Sequence, residues 1–110
     1  MIDFWGTWCG PCLKKIPELT GIKVKFEGKL DLLSFNYKDF DITSVKNTIE
    51  QFKMDWHHGF ASHQLNSTLN PSQVYPFFLI VDDEMNLVWQ GTAKDLKHQP
   101  LTDLLSSFLH

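Results

Sequence analysis

The chain holds two cysteines, Cys9 and Cys12, with two residues between them. A disulfide across so short a loop adds little stability by chain entropy. A pair this close is therefore explained by chemistry rather than by scaffolding. Cys9 falls where a helix should begin, and Pro11 suits its first turn, where a missing N–H costs nothing. A cysteine at a helix N-terminus faces unpaired backbone N–H groups and the positive end of the helix dipole. Both favour thiolate over thiol and bring the pKa from ~8.5 to between ~3.5 and ~7.5. Cys9 is thus a candidate nucleophile near neutral pH. Cys12, one helical turn on and on the same face, is placed to attack a mixed disulfide formed at Cys9. Gly10-Pro11 holds the two sulfurs within reach.

The elements that position this pair follow from periodicity. Ile2 to Trp5 reads as a strand that feeds the loop Gly6-Thr7-Trp8. The helix from Cys9 continues to about Phe26, with Leu13, Ile16, Leu19, Ile22 and Phe26 at helical spacing. Pro17 lies inside it as a kink, and Gly21 weakens it locally. After a turn at Gly28-Lys29, Leu30 to Asn36 is expected to be a strand. Asp41 or Thr43 caps a second helix with an apolar face of Ile42, Val45, Ile49 and Phe52. Trp56 to Phe60 fits a short strand. Residues 61–75 are polar and carry no clear period; Asn70-Pro71 marks a turn. Phe77 to Val81 is a continuous apolar run, as in a strand covered on both faces. A turn over Asp82 to Asn86 joins it to Leu87–Gln90 as an antiparallel hairpin that Gly91 ends. Pro100 opens a last helix with Leu101, Leu104, Leu105 and Phe108 on one face. The order implies an α/β fold, a central mixed sheet with helices on both faces.

Composition narrows the function. The 110 residues are 43% hydrophobic, 14% aromatic and 21% charged, with a formal net charge of -3. That is one domain's worth of chain with enough apolar content for a core, and it argues against disorder. There is no basic surplus to hold a phosphate backbone, so nucleic acid is not an expected partner. No apolar run reaches the ~18 residues that span a bilayer, and no signal peptide is legible. The chain opens almost inside a strand, as a domain cut from a longer protein would.

The phrase Asp3-Phe4-Trp5-Gly6-Thr7-Trp8-Cys9-Gly10-Pro11-Cys12 resembles the active-site strand and loop of thioredoxin-like thiol–disulfide oxidoreductases. The resemblance extends to Pro17, to Tyr75-Pro76 before the strand Phe77–Val81, and to Gly91 and the last helix. It is weakest between Ser34 and Val74. It implies a thioredoxin-like fold and a protein-disulfide reductase that works through its CGPC dithiol, with no organic cofactor and no metal. Its implied partners are a disulfide-containing protein substrate and an upstream thiol reductant. In that family the proline matching Pro76 is cis and packs against the cysteines; Tyr75 would then offer its backbone to a substrate chain. The FWGTWCGPC phrase, Pro17-Glu18-Leu19 and the long stretch before Pro76 look like the TlpA/ResA-like group, which implies an extracytoplasmic, periplasmic setting. Three positions depart from that group. Lys15 stands where it often has Glu, Asp3 where it often has Asn, and Phe77 where it usually has Thr. Asp3 instead matches thioredoxin itself; buried with a raised pKa, its carboxylate would accept the proton of Cys12 as it attacks, whereas on an edge strand it would simply face water. Asp3 or water remains the acceptor for Cys12.

Other features have plainer readings. His57, His58 and His63 could complete a zinc site with the cysteines, but about 45 residues separate Cys12 from His57, far beyond the ~12–15 of a finger. The His57-His58 pair is read as structural, and Lys14 and Lys15 as solvated helix lysines. Trp8 beside Cys9 is an exposed apolar rim suited to extended thiol substrates; Trp5, Trp56 and Trp89 are core or interface. The rival function is a thioredoxin-fold binding module of a larger protein, with a CGPC pair that turns over little.

Overall fold

A computed structural model describes residues 1–109. The elements run β1 (Ile2–Trp5), α1 (Gly10–Lys25), β2 (Leu33–Asn36), α2 (Ile42–Gln51), β3 (His57–Phe60), α3 (His63–Leu69), β4 (Phe77–Val81), β5 (Leu87–Thr92) and α4 (Leu101–Phe108). The five strands form one sheet in the order β3-β2-β1-β4-β5. The pairs β1–β2 and β2–β3 are parallel, while β1–β4 and β4–β5 are antiparallel. The strand β1, which feeds the cysteine loop, is therefore central, and the mixed sheet is as the sequence implies.

Side-chain alternation divides the core into two faces. Phe4, Phe77 and Leu79 point to one face, where Ala61 and Leu69 pack at either end of α3. Asp3, Trp5, Phe78 and Ile80 belong to the other. There Leu19, Ile22 and Phe26 of the α1 region meet Leu101, Leu104 and Leu105 of α4, and Ile16 meets Val45 of α2 beside the cysteines. Helices thus cover both faces. β4 is buried along nearly its whole length, as its unbroken apolar run requires.

Three local expectations are corrected, and the stretch 61–75, which carries no readable period, proves to hold a helix. β2 begins at Leu33 rather than Leu30, because the preceding residues close α1: Phe26 O accepts from the N–H groups of Lys29 and Leu30, with Gly28 at φ 80°. On α2 only Val45 is fully buried, and Ile42 and Phe52 are exposed. Residues 61–75 contain α3, capped by the Ser62 hydroxyl, which accepts from Leu65 N–H. Its one buried residue is a polar Asn66, so it has no apolar period to read. β5 continues through Gly91, which pairs with Phe78, to Thr92. A side chain at Gly91 would run into the Trp89 ring and the Asp95 carboxylate. α1 passes through Pro17 without interruption. The N-terminus of α4 is satisfied from a distance by Glu18, whose Oε1 accepts from Leu101 N–H at 3.1 Å.

Candidate functional site

Cys9 is the N-cap of α1, with extended backbone at φ −102°, ψ 99°. Its Sγ accepts a hydrogen bond from Cys12 N–H at 3.2 Å. The two sulfurs are joined in a disulfide across a Cα–Cα distance of 5.2 Å. Both cysteines are nearly buried, 5% and 3% exposed, whereas Gly10 and Pro11 between them are exposed. The pair is covered from inside by Trp5, Ile16, Val45 and Met54, with Leu13, Ile49, Trp56 and Tyr75 around them. The geometry places an N–H donor and a helix N-terminus on the Cys9 sulfur, the arrangement that favours a thiolate there once the bond is reduced.

The loop carrying the pair is tied to the end of β2. Cys9 N–H donates to Gly6 O at 3.1 Å. The Asp39 carboxylate accepts from Thr7 N–H at 2.8 Å, from the Thr7 hydroxyl, and from Asn36 Nδ2 at 2.7 Å. Trp8 Nε1 donates to Tyr37 O at 3.1 Å. The Trp8 indole lies where a side chain at residue 6 would be, so only glycine fits there. Trp8 is half exposed. Its ring meets Tyr75 edge-on at 5.2 Å, and Tyr75 stacks on Tyr37 at 6.1 Å. With Lys38, Phe40 and Gln73 these rings line an open groove of about 500 Å³ beside the cysteine loop.

The Tyr75-Pro76 bond is cis, and Pro76 is fully buried at the head of β4. α3 braces both tyrosines of the groove. Tyr75 hydroxyl donates to Asn66 Oδ1 at 2.9 Å, and Tyr37 hydroxyl lies 2.7 Å from His63 Nδ1. Burial raises the Tyr75 hydroxyl above its ordinary pKa. Asp3 is 2% exposed on the central strand, and burial pushes its carboxyl up to about 7, against a lowering hydrogen bond from the Ser34 hydroxyl at 3.0 Å. It shares its sheet face with Trp5, which packs against the cysteines.

The structure thus gathers Cys9, Cys12, Trp8, Gly10, Pro11 and Tyr75 around one loop, with Pro76 behind Tyr75 and Asp3 within the sheet. Tyr37, Asp39 and Asn66 join them without a signal in the sequence, and His63, weighed there as a zinc ligand, joins as the partner of the Tyr37 hydroxyl; each is recruited by a contact across the fold. The histidines are engaged separately: His58 Nε2 donates to Met54 O at 2.8 Å, while His63 is held by Tyr37. Among the described residues no three His, Cys, Asp or Glu side chains gather as metal ligands, and no helix is long and apolar enough to cross a membrane. Lys15 is paired with Glu18 at 2.9 Å.

Comparison with known proteins places these features in context. A family model described as Thioredoxin matches residues 1–56. Thioredoxin of Staphylococcus aureus (strain Mu50) is 39% identical over 46 residues, 42% of this chain and 44% of that protein. The match therefore spans less than half the length of that curated relative. Among solved structures, the thioredoxin domain of a thiol-disulfide oxidoreductase from Bacteroides vulgatus superposes with a TM-score of 0.79 at 21% identity, covering 99% of this chain and 77% of that one. A thiol:disulfide interchange protein DsbE from Chlorobium tepidum gives a TM-score of 0.77 at 18% identity, covering 96% and 77%. At these identities the likeness is one of fold, and it extends over nearly the whole chain.

Proposed function

This chain belongs to the thioredoxin family, and from that premise we propose that it is a thiol–disulfide oxidoreductase that reduces protein disulfides through Cys9 and Cys12. The observation that carries this reading is the disulfide at the N-cap of α1, with the Cys12 N–H on the Cys9 sulfur and an open aromatic groove alongside.

The cycle begins with the reduced dithiol. The Cys9 thiolate attacks one sulfur of a substrate disulfide; that bond breaks, and a Cys9–substrate mixed disulfide forms with one substrate thiolate released. Cys12 gives up its proton, with Asp3 as the acceptor, and its thiolate attacks the Cys9 sulfur. The mixed disulfide breaks, the second substrate thiolate leaves, and the Cys9–Cys12 disulfide remains. Two electrons have passed to the substrate, and an external dithiol returns two to restore the enzyme. Trp8, Gly10, Pro11 and Tyr75 form the docking surface, and the backbone at Tyr75-Pro76 pairs with the extended substrate chain. The FWGTWCGPC loop and the long insertion before Pro76 support placement in the TlpA/ResA-like group, and with it an extracytoplasmic location.

The test mixes the reduced protein with a disulfide-bonded peptide and follows products by mass. The wild type should yield two peptide thiols per Cys9–Cys12 disulfide formed. Cys12→Ser should accumulate a peptide–Cys9 adduct, and Cys9→Ser should do neither. A wild type that leaves the peptide oxidised overturns the proposal.

A further inference from the structure

The buried carboxyl of Asp3 has an unusual neighbourhood. Ser34 faces it across the parallel β1–β2 pair. Its hydroxyl donates to Asp3 Oδ2 at 3.0 Å and accepts from Trp56 Nε1 at 2.8 Å. A hydroxyl has one proton to give, so the Trp56 N–H fixes its direction: Trp56 donates to Ser34, and Ser34 donates to Asp3. Ser34 is wholly buried. Donor chains of this kind polarise one another in a low dielectric. They stabilise the carboxylate over the neutral acid.

Trp56 carries the chain to the redox pair. Its ring packs against the cluster that holds Cys9, Cys12, Trp5 and Ile16, and also against the α1–α4 cluster that contains Phe78. It is held in place by His58, stacked on it at 5.7 Å and 26°. His58 sits opposite Ser34 in the β2–β3 register. Its Nε2 donates to Met54 O, and burial holds the imidazole below its ordinary pKa. Among the described residues, β3 contributes His57 and His58, and the head of α1 contributes Cys9 and Cys12 on reduction; further along α1 stand Lys14, Lys23, Lys25 and the paired Lys15 and Glu18. β2 and β4 contribute none.

We propose that Ser34 and Trp56 are positioning residues that hold a two-link donor chain on Asp3, and so set the pH at which Asp3 takes the proton of Cys12. This rests on the oxidoreductase reading above and adds to it the part of the fold that tunes the acceptor. Without the Trp56 N–H the Ser34 hydroxyl is a weaker donor and free to turn. Without the Ser34 hydroxyl the carboxylate loses its side-chain donor.

The experiment titrates the Asp3 carboxyl in the oxidised protein by carbon NMR of ¹³C-labelled aspartate, which needs no turnover. Trp56→Phe keeps the ring and loses the N–H; Ser34→Ala removes the hydroxyl. Each should raise the Asp3 midpoint, by about one pH unit for Ser34→Ala and less for Trp56→Phe. Ser34→Thr should restore it, and Trp89→Phe, which has no part in the chain, should leave it in place. If Ser34→Ala fails to fold, Trp56→Phe alone decides. An unchanged Asp3 midpoint in Trp56→Phe overturns the inference. In the reduced protein, the pH dependence of discharge of a peptide from Cys9 should move with the Asp3 midpoint; a midpoint that moves while the discharge profile stays fixed also overturns it. A wild type that never discharges peptide contradicts the oxidoreductase reading instead, leaving the carboxyl titration to judge the donor chain.

Discussion

The two sides of the Cys9–Cys12 bond are built on opposite principles. The inner side is buried and largely apolar, with one titratable carboxyl, Asp3, reached by a single side-chain donor, Ser34. The outer side is an open rim led by the half-exposed Trp8, with Tyr75 beside it on a buried Tyr37; the rings pack on one another, Trp8 Nε1 donates to Tyr37 O, and the two tyrosine hydroxyls are tied to α3. Burial on the inner side perturbs proton affinity and leaves no room for a second molecule. Exposure on the outer side offers contact area with rigid aromatic groups. In the proposed cycle, proton handling belongs to the inner side and substrate docking to the outer. Changes inside should alter pH dependence, and changes at the rim should alter affinity.

The largest expected effect tests the bond that both sides share. Cys9→Ser should lower peptide-disulfide reduction by at least about 10³-fold, since the nucleophile itself is lost; a thiol assay reads it. Next comes the inner side. The native Asp3 midpoint of about 7 lies above the ordinary carboxyl value of 3.8, so the folded state holds the proton more tightly than the unfolded chain. The resulting stabilisation is complete below about pH 4 and is lost as pH rises through about 7. Asp3→Asn should therefore be more stable than wild type at pH 8, by up to about 4 kcal/mol, with no such advantage at pH 4. Urea unfolding of the oxidised protein at both pH values checks this. A gain equal at both would show that Asp3 titrates normally.

The rim should respond differently. Trp8→Ala should raise KM for a peptide disulfide several-fold, through loss of about 1 kcal/mol of aromatic contact, and leave the pH midpoint of the rate unmoved. A shifted midpoint would break the division between the two sides. Asp39→Ala removes the acceptor of three hydrogen bonds from Thr7 and Asn36 and should destabilise the fold by about 2 kcal/mol, read as a lower urea midpoint. The smallest effect is remote from both sides. Asp41 caps α2 through Thr43 and Ser44 N–H groups, and Asp41→Ala should lower the urea midpoint slightly with reduction kinetics unchanged.

The inner side was largely legible in the sequence because it is local. Cys9, Cys12 and Pro11 lie within one helical turn, and Asp3 sits two residues before Trp5 on the strand that feeds them. The family phrase FWGTWCGPC covers all of these except Asp3, which immediately precedes it. The hairpin β4–β5 and helix α4 were also legible, from an unbroken apolar run and a leucine stripe. What stayed hidden depends on contacts between distant segments. Ser34 and Trp56 meet across two strands, and Glu18 caps α4 from a helix 83 residues away. α3 has no apolar stripe, because its single buried side chain is the amide of Asn66. That amide serves Tyr75, and only the folded chain brings the two together.

The central claim is that Cys9 and Cys12 form a working redox couple. The most direct measurement is its reduction potential in glutathione or dithiothreitol buffers, with Cys9→Ser as control. The account predicts a reversible two-electron couple near −250 mV or below, toward the ~−270 mV of thioredoxin. A couple near −120 to −180 mV would make the protein an oxidant or isomerase and contradict the reductase reading. No reversible couple at all would contradict the oxidoreductase itself and leave a thioredoxin fold that only binds.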